Sequence, residues 1–255
     1  MLWRARTFPC MFVLREFCYL YSSRLIAVLI IFIKRVITRL GEDLSYKILV
    51  SSMTNVAVDR ILLELLKMGF NDIVRCGSLK KIAKPILPYT AQTMTNNDDK
   101  IKELKSMLQD DISPSEAEFV KDTIEKFKRM ENRELISKAL VVGTTCAASA
   151  LEILDNIRFP LIILDEASQI SEPLALMPMC RAECQKLVLV GDPQQLPPVL
   201  TTSSDKTSLR KGLDRTLFDR SIEMGMKVYI GNSFICKMYY DVYHADVYVG
   251  SLALI

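Results

Sequence analysis

Short, largely apolar runs, each followed by a polar loop, recur along this 255-residue chain. Alternating apolar and polar residues would indicate strands with one wet face, whereas continuous apolar runs indicate strands covered on both faces. Together with the helical stretches between them, these runs predict an α/β fold with a mostly parallel sheet flanked by helices. The runs cover residues 47–51, 73–76, 140–143, 161–164, 187–190 and 227–230, and a helix is predicted over residues 56–68, ending at Gly69.

Composition narrows the class of protein. Half of the residues are hydrophobic, a quarter are charged and the net charge is +3, which excludes intrinsic disorder, collagen and heptad rods. Residues 1–45 hold seven basic and three acidic side chains, so the remainder is near neutral and has no global electrostatic footprint for nucleic acid. The seven cysteines show no disulfide framework, and we expect them to be reduced, without disulfide partners.

The first 45 residues form a divergent N-terminal segment. No glycine precedes Gly41, and an apolar helix is predicted over residues 24–39. The apolar stretch 11–37 leaves membrane anchoring open as a hypothesis, and a signal peptide is a rival interpretation of its beginning. The uncharged part, residues 25–33, is shorter than the roughly 20 residues that span a bilayer, so a membrane is not the expected partner.

A polar insertion at residues 93–138 separates the second and third apolar runs. Ile101, Leu104 and Leu108 repeat at helical spacing, and Val120, Ile124 and Phe127 form a second stripe. Between the two stripes, residues 113–116 (SPSE) read as a capping box with proline at the first helical position. The pattern predicts two antiparallel helices that project from the sheet.

An acidic pair follows the fourth apolar run, because residues 161–164 lead directly into Asp165 and Glu166. Open α/β sheets bind ligands at the carboxyl ends of their strands. Two acids in that position can hold Mg²⁺ and polarise an attacking water. The competing interpretation is a helix-start pair that favours the helix dipole.

A second polar turn follows the fifth run. Residues 187–190 lead into Gly191 and Asp192, and Gln195 brings an amide that can contact a phosphate. An ordinary Gly-Asp-Pro turn is the competing interpretation. Two successive buried strands, the first followed by two acids and the second by an amide, rarely arise by chance.

Four segments together resemble the first RecA-like domain of superfamily 1 helicases in the Upf-like group. Residues 51–59 (SSMTNVAVD) are similar to motif Ia, and residues 141–146 (VVGTTC) to a later nucleic-acid-contacting motif. Residues 165–169 (DEASQ) match motif II, and residues 191–198 (GDPQQLPP) match motif III. The resemblance implies a RecA-like sheet of the P-loop NTPase type with an inserted accessory helix pair.

The resemblance runs from about residue 46 to residue 230, which we take as a partial motor domain. Within the group, residues 82–89 and 216–220 resemble helicases that carry a GRF-type zinc finger. The family couples ATP hydrolysis to strand translocation and unwinding, with Mg²⁺ and ATP as cofactors. A nuclear or cytoplasmic location and a role such as DNA repair are the corresponding expectations.

The resemblance implies a nucleotide site made by motifs II and III. Asp165 would bind Mg²⁺ and Glu166 would activate water. Gln195 would sense the γ-phosphate, while Gly191 and Asp192 would lie against the nucleotide. Asp165, Glu166 and Gln195 are thus the predicted catalytic residues.

The resemblance also implies contacts with single-stranded or duplex nucleic acid. Thr54, Asn55 and Thr145 would touch its backbone, since hydroxyls and amides at strand ends position a phosphate without reading sequence. Turn and cap chemistry is the competing interpretation, with Thr54 or Asn55 capping the helix that begins near Val56.

Two departures from the family pattern affect activity. The family requires a glycine-rich phosphate loop ending in Gly-Lys-Ser or Gly-Lys-Thr, but the chain contains no Gly-Lys dipeptide. After residue 230, where the family continues into a second RecA-like domain, residues 231–255 are a divergent tail. We therefore expect a truncated motor domain, inactive alone and marginally stable. The strand that would feed the missing loop should be absent or replaced, with residues 11–20 as its candidate.

Three functional hypotheses remain open. The first is an incomplete ATP-dependent helicase motor domain. The second is a non-catalytic module that retains nucleic-acid or partner contacts through motif Ia and the helical insertion. The third is membrane anchoring through residues 11–37. Nucleotide-independent, strongly salt-dependent binding to single strands would favour the second hypothesis over the first.

Overall fold

The computed structural model describes residues 10–15, 19–40, 46–95, 106, 114–181, 184–192, 194, 196–198, 215–226 and 228–230. Its strands are β1 (Cys10–Arg15), β2 (Ile48–Ser52), β3 (Ile73–Arg75), β4 (Val141–Thr145), β5 (Leu161–Leu164), β6 (Lys186–Gly191) and β7 (Val228–Ile230). They form one sheet in the order β3-β4-β2-β5-β6-β1-β7, and every neighbouring pair is parallel. The predicted α/β, RecA-like class is therefore confirmed.

The described α-helices are α1 (Tyr19–Leu40), α2 (Asn55–Lys67), α3 (Ala91–Thr95), α4 (Pro114–Lys138), α5 (Glu172–Arg181) and α6 (Leu217–Glu223). Short 3₁₀ helices are η1 (Leu79–Lys81), η2 (Lys84–Tyr89), η3 (Ala147–Ala150), η4 (Glu152–Leu154) and η5 (Ala167–Gln169). The predicted start of α1 was wrong by five residues, because the helix begins at Tyr19 rather than at residue 24.

Both faces of the sheet are buried, as the continuous apolar runs predicted. Along β5, Ile162 and Leu164 enter one core cluster with residues of α5 and α6. Leu161 and Ile163 enter the other cluster with residues of α1 and α2. Successive side chains of a strand point to opposite faces, so a strand covered on both sides is apolar along most of its length rather than at alternate positions.

Strand β1 lies between β6 and β7 and is hydrogen-bonded in parallel to both. In its register with β6, Cys10 lies opposite Lys186 at one end and Arg15 lies opposite Gly191 at the other. The candidate replacement strand at residues 11–20 is therefore present, although it begins at residue 10 and ends at residue 15. The sheet thus extends to the N-terminal side of the domain boundary predicted near residue 45.

Helix α1 packs against α2 over the sheet. Leu25, Ile26, Leu29 and Ile30 are buried in the same cluster as the apolar side chains of α2. Within the described residues, we find no helix that is both long and apolar enough to cross a membrane. The apolar character of α1 is accounted for by the protein core.

The insertion contains the long helix α4, which starts at the predicted Pro114. Ile124 and Ile136 are buried, while the exposed surface of the helix is highly charged. The predicted first helix of the pair, with Ile101, Leu104 and Leu108, lies outside the described residues. So do residues 231–255, which make up the predicted divergent tail.

Candidate functional site

The acidic pair lies at the carboxyl end of β5, where the sequence placed it. The amide of Asp165 donates to the Ser51 carbonyl oxygen at 2.9 Å, which continues the β2–β5 ladder by one residue. Asp165 is 3% exposed and Glu166 is 7% exposed. Two carboxylates thus lie almost fully buried at one edge of the sheet.

Glu166 has a left-handed backbone, with φ at 56° and ψ at 33°. A non-glycine residue in this region costs roughly 1–3 kcal/mol, and such strain is concentrated at functional sites. Its side chain accepts hydrogen bonds at Oε2 from Ser52 Oγ at 3.2 Å and Thr54 Oγ1 at 3.5 Å. Motif II and motif Ia are thus in direct contact through the Glu166 carboxylate.

The turn after β6 packs closely against the residues that follow the acidic pair. A Cβ atom on Gly191 would lie 2.9 Å from the Ser168 amide nitrogen, closer than a Cβ and a backbone atom tolerate. The amide of Asp192 donates to Ser168 Oγ at 3.3 Å. Glycine is therefore required here by close approach. Ser168 lies within the motif II match, but the sequence alone assigned it no role.

Asp192 is 8% exposed and closes its own turn, since its Oδ1 accepts from the Gln194 amide at 3.0 Å. This is the side-chain-to-backbone hydrogen bond of an ordinary turn, which was the competing interpretation for this segment. Gln195 lies outside the described residues, so its predicted place beside Asp165 and Glu166 stays a prediction.

Thr54 caps α2, because its Oγ1 accepts from the Ala57 amide at 3.2 Å. Thr145 has a similar local role, with Oγ1 accepting from the Ala148 amide at 3.3 Å. Both hydroxyls therefore carry the cap and turn chemistry that competed with nucleic-acid contact. Asn55 is the first residue of α2, and its Oδ1 accepts from Arg75 Nη2 at 2.8 Å.

Arg75 is the centre of a buried polar cluster that sequence reasoning missed. Its Nε donates to Asp59 Oδ1 at 2.7 Å, and its side chain is 0% exposed. Its Nη1 donates to the Cys76 carbonyl oxygen, and its Nη2 donates to Asn55. We call Arg75, Asp59 and Asn55 the arginine cluster. It joins β3 to the first two turns of α2.

Two buried thiols lie at the same edge of the sheet. Cys76 follows β3, and burial raises its pKa from 9.0 to about 12, against the opposing charge of Arg75. Cys146 follows β4, and burial raises its pKa from 9.0 to about 11, although Ser51 Oγ lies 3.4 Å from its Sγ. Cys76, Cys146, Cys180 and Cys184 are free, and the two at this edge are held as neutral thiols.

The acidic pair has the ligand chemistry of a Mg²⁺ site, because hard divalent cations prefer carboxylate oxygens. Among the described residues, no three His, Cys, Asp or Glu side chains are grouped so that they could hold a metal ion. Asp165 and Glu166 would therefore need further oxygen ligands, from protein hydroxyls or carbonyls, water or substrate, to complete a coordination shell.

A nucleoside triphosphate does not fit the residues at the carboxyl end of β1. A phosphate loop cradles the phosphates with the amides of a glycine-rich turn and with a lysine. Here Glu16, Phe17 and Cys18 alone separate β1 from α1. None of them is glycine or lysine. We therefore derive no catalytic step through ATP for this chain.

Comparisons with known proteins agree with the motifs. A family model described as an AAA domain matches residues 111–203. The mouse 5'-3' DNA helicase ZGRF1 is 42% identical over 239 residues, covering 91% of this chain and 13% of that protein. The human DNA replication ATP-dependent helicase/nuclease DNA2 is 32% identical over 177 residues, covering 69% of this chain and 14% of that protein.

A third relative, the Regulator of nonsense transcripts 1 homolog of Arabidopsis thaliana, is 30% identical over 190 residues. That match covers 71% of this chain and 14% of the relative. The chain thus spans about one seventh of the curated relatives it matches.

Proposed function

Because the chain belongs to the superfamily 1 helicases of the Upf-like group, we propose that it supplies part of the first motor domain of an ATP-dependent nucleic-acid helicase. Helicases of this family use ATP and Mg²⁺. In a motor domain with a complete phosphate loop, Asp165 would hold the metal and Glu166 would be the general base, while Gly191, Asp192 and Gln195 would face the nucleotide. A nuclear or cytoplasmic location goes with this proposal.

The contact between Glu166 and motif Ia carries the proposal. The Glu166 carboxylate accepts from Ser52 and Thr54, and Thr54 in turn caps α2, whose first residue is Asn55. A change of charge or position at Glu166 would act directly on the cap of α2. A motor needs such a link between its acidic motif and its nucleic-acid contacts.

The chain by itself, we propose, neither binds ATP tightly nor unwinds nucleic acid. The three residues between β1 and α1 offer no glycine turn and no lysine for the phosphates. Titrating Mg-ATP into the 255-residue chain by calorimetry should give a dissociation constant no tighter than about 1 mM, or about −4 kcal/mol. A value in the micromolar range would contradict this part of the proposal.

What the chain does by itself, we propose, is bind the nucleic-acid backbone without nucleotide, at the carboxyl ends of β2 and β4. Thr54, Asn55 and Thr145 line that edge. The side-chain oxygen Oδ1 of Asn55 accepts from Arg75, so the amide nitrogen Nδ2 is the donor that would bind a phosphate oxygen. Such contacts position the strand but read no sequence.

Asn55→Asp tests this binding. The substituted side chain keeps an oxygen for Arg75, while the amide donor becomes a carboxylate oxygen that repels phosphate. Loss of a hydrogen bond to a charged group costs about 1.5–3 kcal/mol, so affinity for labelled oligothymidylate should fall at least about tenfold. Asn71→Asp, an exposed residue preceding β3 and thus at the opposite edge of the sheet, makes the same charge change.

The affinity of the Asn71→Asp variant should remain close to that of the unmodified chain. Urea unfolding of both variants reports whether either substitution disturbs the fold. Equal affinities for the Asn55→Asp variant and the unmodified chain would remove Asn55 from the interface. No binding by the unmodified chain would refute nucleotide-independent binding altogether.

A further inference from the structure

A loop of residues 76–90 leaves the carboxyl end of β3 and returns to it. The amide of Cys76 donates to the Gly143 carbonyl oxygen at 2.9 Å, where the loop begins. Thr90 pairs with Arg75 through an isolated bridge, where the loop ends. Both ends of the loop are therefore fixed to the sheet, beside β4.

The middle of the loop is fixed to α2. The amide of Ala83 donates to Asp59 Oδ2 at 2.7 Å, so Asp59 binds Arg75 with one oxygen and the loop with the other. Ile82 and Ile86 are buried in the cluster that contains the apolar side chains of α2. The backbone of the loop is held in place before any ligand arrives.

The exposed surface of this loop is basic. Lys80, Lys81 and Lys84 are exposed, and no acidic residue occurs between Ile73 and Asn97. Within the described part of the chain, none of the salt bridges involves these three lysines. We call residues 78–84 the lysine segment.

The lysine segment lies beside the proposed nucleic-acid edge. All strands of the sheet are parallel, so the loop after β3 is at the same edge as Thr145 after β4 and Thr54 after β2. Lys84 directly follows Ala83, whose amide is hydrogen-bonded to Asp59. Asp59 lies one turn along α2 from Asn55. Lys80 is three residues from Ala83, a reach of at most about 11 Å.

Exposed apolar side chains lie next to Asn55 at this edge. Met53, just before α2, is 46% exposed, and Val56, in the first turn of α2, is 64% exposed. Most of the other apolar residues of α2 are buried. Apolar side chains beside phosphate-binding groups suit a ligand with alternating charged and apolar parts. A nucleic-acid strand, with phosphates on one side and bases on the other, has this composition.

We infer that the lysine segment binds successive phosphates of a single nucleic-acid strand that crosses the carboxyl edge of the sheet from β2 to β3. The inference rests on the proposed nucleic-acid binding and extends it to residues outside the four helicase-like motifs. Lys80, Lys81 and Lys84 act as point charges on the backbone and read no base. The Asp59–Arg75 pair positions the segment through Ala83.

Salt dependence separates this role from a structural one. In the variant with Lys80→Gln, Lys81→Gln and Lys84→Gln, three phosphate contacts are lost. The slope of log affinity against log salt should become shallower by about 2, since each contact on a single strand contributes about 0.7. Affinity for labelled oligothymidylate at about 50 mM salt should fall at least about tenfold. The slope is measured between about 50 and 200 mM NaCl.

The matched control is Arg35→Gln, Arg39→Gln and Lys67→Gln near the C-terminal ends of α1 and α2, where the side chains are also exposed. It removes the same charge, so an equal loss in both variants would assign the effect to net charge and overturn the inference. Unchanged affinity and slope in the lysine-segment variant would overturn it too. If the unmodified chain binds no oligonucleotide, the proposed function itself fails, which is a distinct result.

A second probe, oligouridylate, identifies the polymer. The same loss with oligothymidylate and oligouridylate supports a contact to phosphates alone. A loss with one polymer supports the site and assigns it to DNA or to RNA. Urea unfolding midpoints that match that of the unmodified chain exclude misfolding as the cause of any loss.

Discussion

The arginine cluster and helix α4 contain ion pairs of the same length in opposite surroundings. Asp59 Oδ1 and Arg75 Nε are 2.7 Å apart, with side chains 5% and 0% exposed. Asp122 Oδ2 and Lys126 Nζ on α4 are also 2.7 Å apart, with side chains 56% and 68% exposed. Water screens the second pair and not the first, so distance alone does not decide what an ion pair contributes.

The two regions also use charge for different purposes. On α4 the acids and bases pair with each other four residues apart, as Glu125 does with Arg129 and Glu134 with Lys138. Such pairs solubilise a helix and stabilise it by a few tenths of a kcal/mol. In the arginine cluster one pair fixes three elements, and the lysines beside it have no acidic neighbours in the chain from Ile73 to Asn97. A ligand can therefore use the lysines.

The largest effect that would test this comparison comes from Asp59→Ala. The substitution leaves the Arg75 guanidinium buried without its carboxylate, which typically costs 3–5 kcal/mol. Asp122→Ala removes an equally short pair on α4 and should change stability by no more than about 0.5 kcal/mol. Urea unfolding measures both. Similar losses in the two variants would show that burial does not separate the two regions.

The pH dependence of stability comes next in size. Unfolded thiols ionise near pH 9, whereas folded Cys76 and Cys146 keep their protons to about pH 12 and 11. Above pH 9 the folded state therefore binds more protons, and stability falls by up to about 1.4 kcal/mol per thiol per pH unit. Burial lowers the pKa of Lys47, which acts in the opposite direction below 10.5.

Burial also raises the pKa of Cys184 to about 12, so three thiols contribute and the net decline between pH 8 and pH 10 should be about 2–4 kcal/mol, measured by urea unfolding. The Cys76→Ala, Cys146→Ala variant should show a shallower decline than the unmodified chain. On α4, in contrast, the hydrogen bond and charge of Lys138 lower the pKa of Glu134, but the Glu134 side chain is exposed. Glu134→Gln should therefore leave the dependence of stability on pH in the acid range almost unchanged. A decline of equal slope in the double cysteine variant would contradict the role of the buried thiols.

Much of the fold could be predicted from the sequence. The apolar runs identified β2 to β7 to within two residues at each end, because a strand buried on both faces is apolar along most of its length. The helix predicted over residues 56–68 is α2, observed as Asn55–Lys67. The helix starts one residue earlier than predicted because Thr54, one of the two residues proposed as its cap, is the N-cap.

The first strand shows what sequence patterns leave open. Residues 11–20 were a candidate replacement strand on family grounds alone, and the structure places residues 10–15 between β6 and β7. The sheet keeps this strand because an unpaired neighbour would lose its backbone hydrogen bonds. Phosphate chemistry depends instead on the connection after the strand, where Glu16, Phe17 and Cys18 stand. The sheet can therefore retain a strand at this position without the phosphate-binding residues that would follow it.

The candidate site was only partly predictable. Asp165 and Glu166 at the end of β5 followed from one local pattern, an apolar run and two acids. The hydrogen bonds of Glu166 to Ser52 and Thr54 join residues more than 110 positions apart, so no local pattern could reveal them. Arg75 was also missed, since a single arginine after a short apolar run has no signal of its own.

The sequence by itself determined the class of fold and the positions of the acids, because strand burial and strand ends leave marks within a few adjacent residues. The tertiary structure alone decided that Asp59, Arg75 and Ala83 meet, and that Glu166 contacts the cap of α2. Those contacts depend on the order of strands in the sheet. Strand order is set by the packing of whole elements, which the chain does not encode at any single position.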